Sequence, residues 1–195
     1  MSRVLGRTIV FVLSLALALH FTAGGAYSRV VKGVEIPETV QVAGKTLKLV
    51  GAGVRTKTFL RIKVYIGALY MENPTKNREE IISSDQPKRM VMHFLYKKVG
   101  KEKIIEGWNE GFENNAADRL SSLKDRIEKF NSMFDTDLRK GEEIILTYLP
   151  GVGTEVVVKG EKKGVVEGKD FAEALFSIWF GKEPADEGLM EEILE

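Results

Sequence analysis

Residues Phe59 to Met71 (FLRIKVYIGALYM) constrain the fold of this chain more than any other stretch. The run is rich in β-branched and aromatic residues, and its even positions, Leu60, Ile62, Val64, Ile66 and Ala68, are all apolar. Its odd positions include Arg61, Lys63 and Tyr65, then Gly67 and Leu69. A period of two is the spacing of a strand with one core face and one mixed face.

The segments around this run extend the pattern. Val40 to Val50 (VQVAGKTLKLV) reads as a hairpin, with Ala43-Gly44 as the turn. Asn73-Pro74 ends the long strand, and a short helix is expected at Arg78 to Ser83. Arg89 to Lys97 reads as another strand. The spacing then becomes helical from Lys101 to Asn114, with Ile104, Ile105, Trp108, Gly111 and Phe112 on one face. Asp118 is expected to open a second amphipathic helix carrying Leu120, Leu123, Ile127, Phe130 and Phe134. Strands return at Glu142 to Leu149 and in a last hairpin built from Thr154 to Lys159 and Lys163 to Glu167. A helix with Phe171, Ala174, Leu175, Ile178 and Trp179 in line is expected to end at Gly181, before a short one at Leu189 to Leu194. The order is strands, a helical pair, strands, then a helix. It predicts an α+β fold in which an antiparallel sheet is covered by helices on one face.

Residues 1–26 read as a secretory signal peptide. Arg3 and Arg7 precede the apolar run Ile9 to Leu19, and the small residues Ala23, Gly24, Gly25 and Ala26 follow it. The run is shorter than the roughly 20 residues of a spanning helix, and an uncleaved anchor is the alternative. This predicts a periplasmic or secreted protein with one domain over residues 27–195, with no stable membrane span after cleavage. With 44% hydrophobic residues such a domain can bury a core without disulfides or metals.

Several chemistries are excluded. The chain has no cysteine, so disulfides, thiolate catalysis and cysteine metal sites are absent. Outside the leader the single histidine is His93, so neither a metal nor a cofactor is expected. A net charge of +1 gives no basic excess to mark a nucleic-acid partner. GAGVR (51–55) contains G-x-G but has no third glycine and opens no helix, so it is not a dinucleotide site. PGVG (150–153) is a turn rather than a phosphate cradle. The Trp108/Phe112 and Phe171/Trp179 stripes read first as core.

The candidate ligand residues are Arg55 and Tyr65. Arg55 follows a Gly-Ala-Gly stretch that permits a bend or a close backbone approach. Its guanidinium fork suits a carboxylate or phenolate, which cannot be buried in an apolar cleft without such a partner. Tyr65 lies on the odd face of its strand. If the strand extends back unbroken, Arg55 shares that face, and the phenol can donate to the same anion. Arg61 is the alternative cation, should the strand bulge near Thr56 to Thr58.

The blocks GAGVR (51–55), KVYIGALY (63–70), KGEEIILTYLPGVGTEVVVKG (140–160) and EGKDFAEALFSIWFGKEPAD (167–186) together resemble the bacterial chalcone isomerase-like family. The resemblance runs from about Val34 to the end of the chain. It implies an open-faced β-sandwich of the chalcone isomerase fold, with a large antiparallel sheet and helices on one face. The plant enzymes of this family carry an arginine in the GVR stretch, matched here by Arg55. Their threonine on the next strand falls on Leu60, and their helical tyrosine and asparagine fall on Gly100 and Gly107. Related fatty-acid-binding proteins hold the carboxylate with an arginine and a tyrosine, matched by Arg55 and Tyr65.

The resemblance therefore implies an exported protein that binds a small acidic apolar ligand, such as a fatty acid, in a cleft between sheet and helices. Two rivals remain: an isomerase or intramolecular lyase that stabilises an enolate or phenolate with Arg55 and Tyr65, and a non-catalytic envelope interaction protein.

Overall fold

A computed structural model describes residues 28–57 and 60–195. The expected leader, residues 1–26, lies outside the described residues.

In chain order the elements are β1 (Ser28–Val31), β2 (Val34–Pro37), β3 (Thr39–Val42), β4 (Lys45–Lys57), β5 (Ile62–Met71), α1 (Arg78–Ser83), β6 (Lys88–Phe94), β7 (Lys98–Val99), α2 (Lys101–Ala116), α3 (Leu120–Ser132), β8 (Leu138–Arg139), β9 (Glu143–Leu149), β10 (Gly153–Val158), β11 (Glu161–Val166), α4 (Lys169–Phe180) and α5 (Glu187–Leu194). Seven strands form one sheet in the order β11-β10-β9-β6-β5-β4-β3. Every pairing in it is antiparallel. The α+β reading therefore holds.

Three hairpins share one device. Lys32-Gly33, Ala43-Gly44 and Lys159-Gly160 all have positive φ at both positions. That geometry matches the right-handed twist of the flanking strands. The β1–β2 hairpin, which sequence reading passed over, carries the same lysine-glycine signal as the last one.

The expected single core face of the long strand is corrected. From Tyr65 onward every residue of β5 is buried. Tyr65, Leu69 and Met71 belong to the core under the helices, whereas Ile66, Ala68 and Tyr70 belong to a second core with Ile36 of β2 and Leu47 of β4. Both faces are buried because a core lies on each side of the sheet, and a bulge splits the even positions between them. Arg55 pairs with Tyr65 while Thr56 pairs with Lys63, which leaves Val64 as the extra residue. One inserted residue moves all later side chains to the opposite face. The even apolar positions are thus divided between the two sides of the sheet.

α2 and α4 pack closely where a side chain at Gly111 would come within 2.7 Å of Ile178. Asp118 does not open α3. It sits in a 3₁₀ turn over Ala117–Arg119, and α3 starts at Leu120 with no side-chain cap. Among the described residues, no helix is long and apolar enough to cross a membrane.

Candidate functional site

GAGVR forms no turn. It continues through β4, and its glycines serve close approach instead. α5 lies across them, so that a Cβ at Gly51 would overlap the Ile193 carbonyl and one at Gly53 would sit 2.6 Å from the Glu192 Cβ. β3 pairs with β4 only as far as Lys48, and beyond that α5 and its cap satisfy the exposed edge. Glu192 accepts the Val54 N–H at 2.7 Å and Asp186 accepts the Thr56 N–H at 2.8 Å. These carboxylates stand where another strand would otherwise pair. They bracket Arg55 and fix the backbone that carries it.

Arg55 and Tyr65 come together, though not along one unbroken strand. They lie directly opposite each other across the β4–β5 hairpin. The guanidinium carbon is 5.6 Å from the Tyr65 ring centroid, a cation–π distance. Tyr65 is 2% exposed and its ring packs 5.7 Å from that of Phe94. The Trp179 indole donates to the Tyr65 hydroxyl at 2.9 Å. That contact uses one oxygen lone pair and leaves the phenol's own proton to donate. Burial raises the Tyr65 phenol above its ordinary value of 10.0, and the nearby Arg55 charge opposes the rise. The group is therefore a neutral donor at neutral pH.

These residues face a small cavity of about 40 Å³ between sheet and helices, also lined by Met92, Ile104, Gly107 and Trp108. The buried Arg55 Nε and Trp108 Nε1 have no hydrogen-bond partner among the described residues. Nor does any ion pair among the described residues include Arg55. Unpaired buried donors are uncommon and costly. Here two of them border one hollow, and the free phenol proton belongs to a third residue on its wall.

The hollow is smaller than the expected cleft. Trp108, Phe130, Phe134 and Trp179 fill the layer beneath the helices, with Trp108 ring centroids 5.4 to 5.7 Å from the other three. The cavity has room for a water or a compact polar head. The larger space is a groove of about 370 Å³ outside it, which shares Arg55, Val64, Val99 and Lys103 with the cavity and adds Lys57, Ile62, Tyr96, Lys98 and Gly100.

Of the other residues singled out in the sequence, Arg61 is exposed in the β4–β5 turn with φ 51°. It borders neither space. Leu60 is 67% exposed in the same turn and also borders neither. Gly107 and Gly100 do line the cavity and the groove respectively, but bring no side chain to them. His93 pairs with Glu143 at 2.9 Å. Sequence reading missed Lys103 as a wall residue and took Trp108 first as core, with the pocket floor as its second role. Their signal is the helical spacing of Lys103 and Gly107, four residues apart, with Trp108 adjacent. Among the described residues, no cluster of three or more His, Asp or Glu side chains is placed to hold a metal ion.

A seven-stranded antiparallel sheet with a helical layer packed on it defines the class of fold. This chain belongs to the chalcone isomerase-like family, whose model matches residues 28–195. Its fold is similar to the crystal structure of a fatty-acid binding protein from Arabidopsis thaliana. The TM-score is 0.70 at 19% identity, over 86% of this chain and 96% of that one. No curated protein sequence matches it.

Proposed function

We propose that this protein is an exported binding protein for a small amphipathic acid, a carboxylate or phenolate on an apolar body such as a fatty acid. The head occupies the hollow between Arg55, Tyr65 and Trp108, and the body lies along the groove on Ile62, Val64, Tyr96 and Val99. The observation that carries this reading is the pair of unpartnered buried donors, Arg55 Nε and Trp108 Nε1, on the wall of one cavity that shares four wall residues with a larger groove. An anionic head supplies the acceptors these donors lack and the charge Arg55 lacks. A groove of this volume falls within the range of small-ligand sites. The plant protein that shares this fold is a fatty-acid binding protein, which supports the same reading. Binding fits the site better than turnover does, because the two helical positions at which the plant enzymes carry polar groups are glycines here.

The test is direct. Native mass spectrometry of protein recovered from the compartment to which it is exported is expected to show a bound acid, and titration with a fluorescent fatty acid is expected to saturate. Arg55→Ala is expected to abolish both. A chain that carries nothing, takes up no added fatty acid or phenolic acid, and behaves identically with alanine at position 55 overturns the proposal.

A further inference from the structure

The whole chain is close to neutral, yet its cations are not evenly spread. Residues 57–63 hold three cations and no carboxylate, and residues 96–103 hold four cations and one carboxylate. The fold brings these two segments to the same end of the sheet, because the start of β5 and the end of β6 are neighbours, with Tyr65 opposite Phe94 and Tyr96 N–H bonded to the Val64 carbonyl. Lys98 pairs with Asp137 and Lys103 with Glu106. Lys57, Arg61, Lys63 and Lys97 are exposed.

Each segment also presents a large apolar side chain to solvent. Leu60 is 67% exposed at the tip of the β4–β5 turn, and Tyr96 is 45% exposed at the tip of the β6–β7 turn. Both tips sit within a few residues of the cations, and the groove described above opens between them.

We propose that this end of the molecule docks on an anionic lipid bilayer, with the mouth of the groove facing the membrane. The cations meet lipid phosphates, each contributing an attraction that weakens with salt. Leu60 enters the acyl boundary, and Tyr96 sits at headgroup depth, where an aromatic ring with a polar tip is favoured. Two separate tips beside exposed cations suit a fluid, deformable surface better than a shaped protein partner, which needs a packed apolar centre. Transfer of a ligand between bilayer and groove rests on the ligand-binding proposal, whereas docking itself does not.

Because the chain has no cysteine, one introduced thiol reports one position. Leu60→Cys, Tyr96→Cys and Val152→Cys in the full chain each carry an environment-sensitive fluorophore. Val152, 53% exposed in the β9–β10 turn at the opposite end of the sheet, is the control. With phosphatidylglycerol vesicles the probes at 60 and 96 are expected to shift to the blue, and the probe at 152 is not. Neutral phosphatidylcholine vesicles are expected to shift none. Lys63→Gln with Lys97→Gln is expected to weaken the response by about five-fold for each cation removed. Arg55→Ala, which tests ligand binding, is expected to keep the tip response, so failure of one proposal is distinguishable from failure of the other. The docking proposal is overturned if the probes at 60 and 152 respond alike, if neutral vesicles act equally well, if the double variant is unchanged, or if soluble polyglutamate and not vesicles shifts the probes.

Discussion

Trp179 on α4 donates its indole proton to the Tyr65 hydroxyl on β5, 114 residues away in sequence, at 2.9 Å. This bond spans the layer between sheet and helices and holds the phenol beside Arg55. Both partners are buried, so removing one strands the other. Tyr65→Phe leaves the indole unpaired and is expected to cost about 1–3 kcal/mol. Trp179→Phe costs more, because it also removes ring volume from the core. Urea unfolding of the two single variants and the double variant checks the link. The double variant is expected to be more stable than the sum of the singles predicts, by about 0.5–3 kcal/mol. Strict additivity means the bond contributes nothing.

Gly107 and Gly111 occupy one helix and call for opposite predictions. A Cβ at Gly107 meets nothing within 4 Å, whereas one at Gly111 meets Ile178 at 2.7 Å. Gly107→Ala is expected to stabilise the protein by about 0.5–1 kcal/mol, the usual gain inside a helix, while lowering ligand affinity by narrowing the cavity. Gly111→Ala is expected to destabilise by about 1–3 kcal/mol through overpacking of α2 on α4. Thermal melting of the pair separates a glycine kept for space from one kept for contact.

Much of this was legible in the chain and some was not, for identifiable reasons. The alternation in β5, the helical stripe of α2 and the Ala43-Gly44 turn are local patterns, and local patterns survive into the fold. The bulge at Val64 leaves no mark in the pattern, because the even positions Ile62, Val64, Ile66 and Ala68 stay apolar on both sides of it. Arg55 and Tyr65 were paired by assuming one continuous strand; they meet across a hairpin. The fullness of the layer under the helices was illegible, because it depends on Trp108 meeting Phe130 and Trp179, which are distant in sequence. Likewise, the cationic end emerges only when two basic segments more than thirty residues apart are folded side by side.

Lys88 offers a test of stability against pH. It is 1% exposed, and its ammonium donates to the Ile81, Ile82 and Ser84 carbonyls at the end of α1, at 2.7, 2.7 and 3.2 Å. Burial lowers its pKa from 10.5 to about 8. Between those values the unfolded chain binds more protons than the folded one, so stability rises as pH increases from about 8 to 10.5 and is lost on the way down. The full span is at most about 3 kcal/mol. Lys88→Met is expected to lose this pH dependence. It is also expected to lower stability at pH 7 by about 1–3 kcal/mol, because the three carbonyls lose their donor. Urea midpoints at pH 7.5, 9 and 10 for both proteins decide the matter.

The sharpest distinction between a structural and a ligand-binding role for Arg55 is the sign of its effect on stability. A structural arginine has partners, and its removal destabilises. Here the buried Nε has none among the described residues, and the side chain lies against the Tyr65 ring and apolar wall residues. A half-buried guanidinium that makes no ion pair among the described residues is held at some cost, which a bound acid offsets. Arg55→Met keeps the length of the side chain and removes the charge. It is expected to stabilise the empty protein by about 0.5–2 kcal/mol and to weaken fatty-acid binding by about 2–5 kcal/mol, the usual effect of deleting one partner of a buried ion pair. Denaturation of ligand-free protein and a binding titration measure the two effects separately. Loss of stability without change in affinity assigns Arg55 to the scaffold.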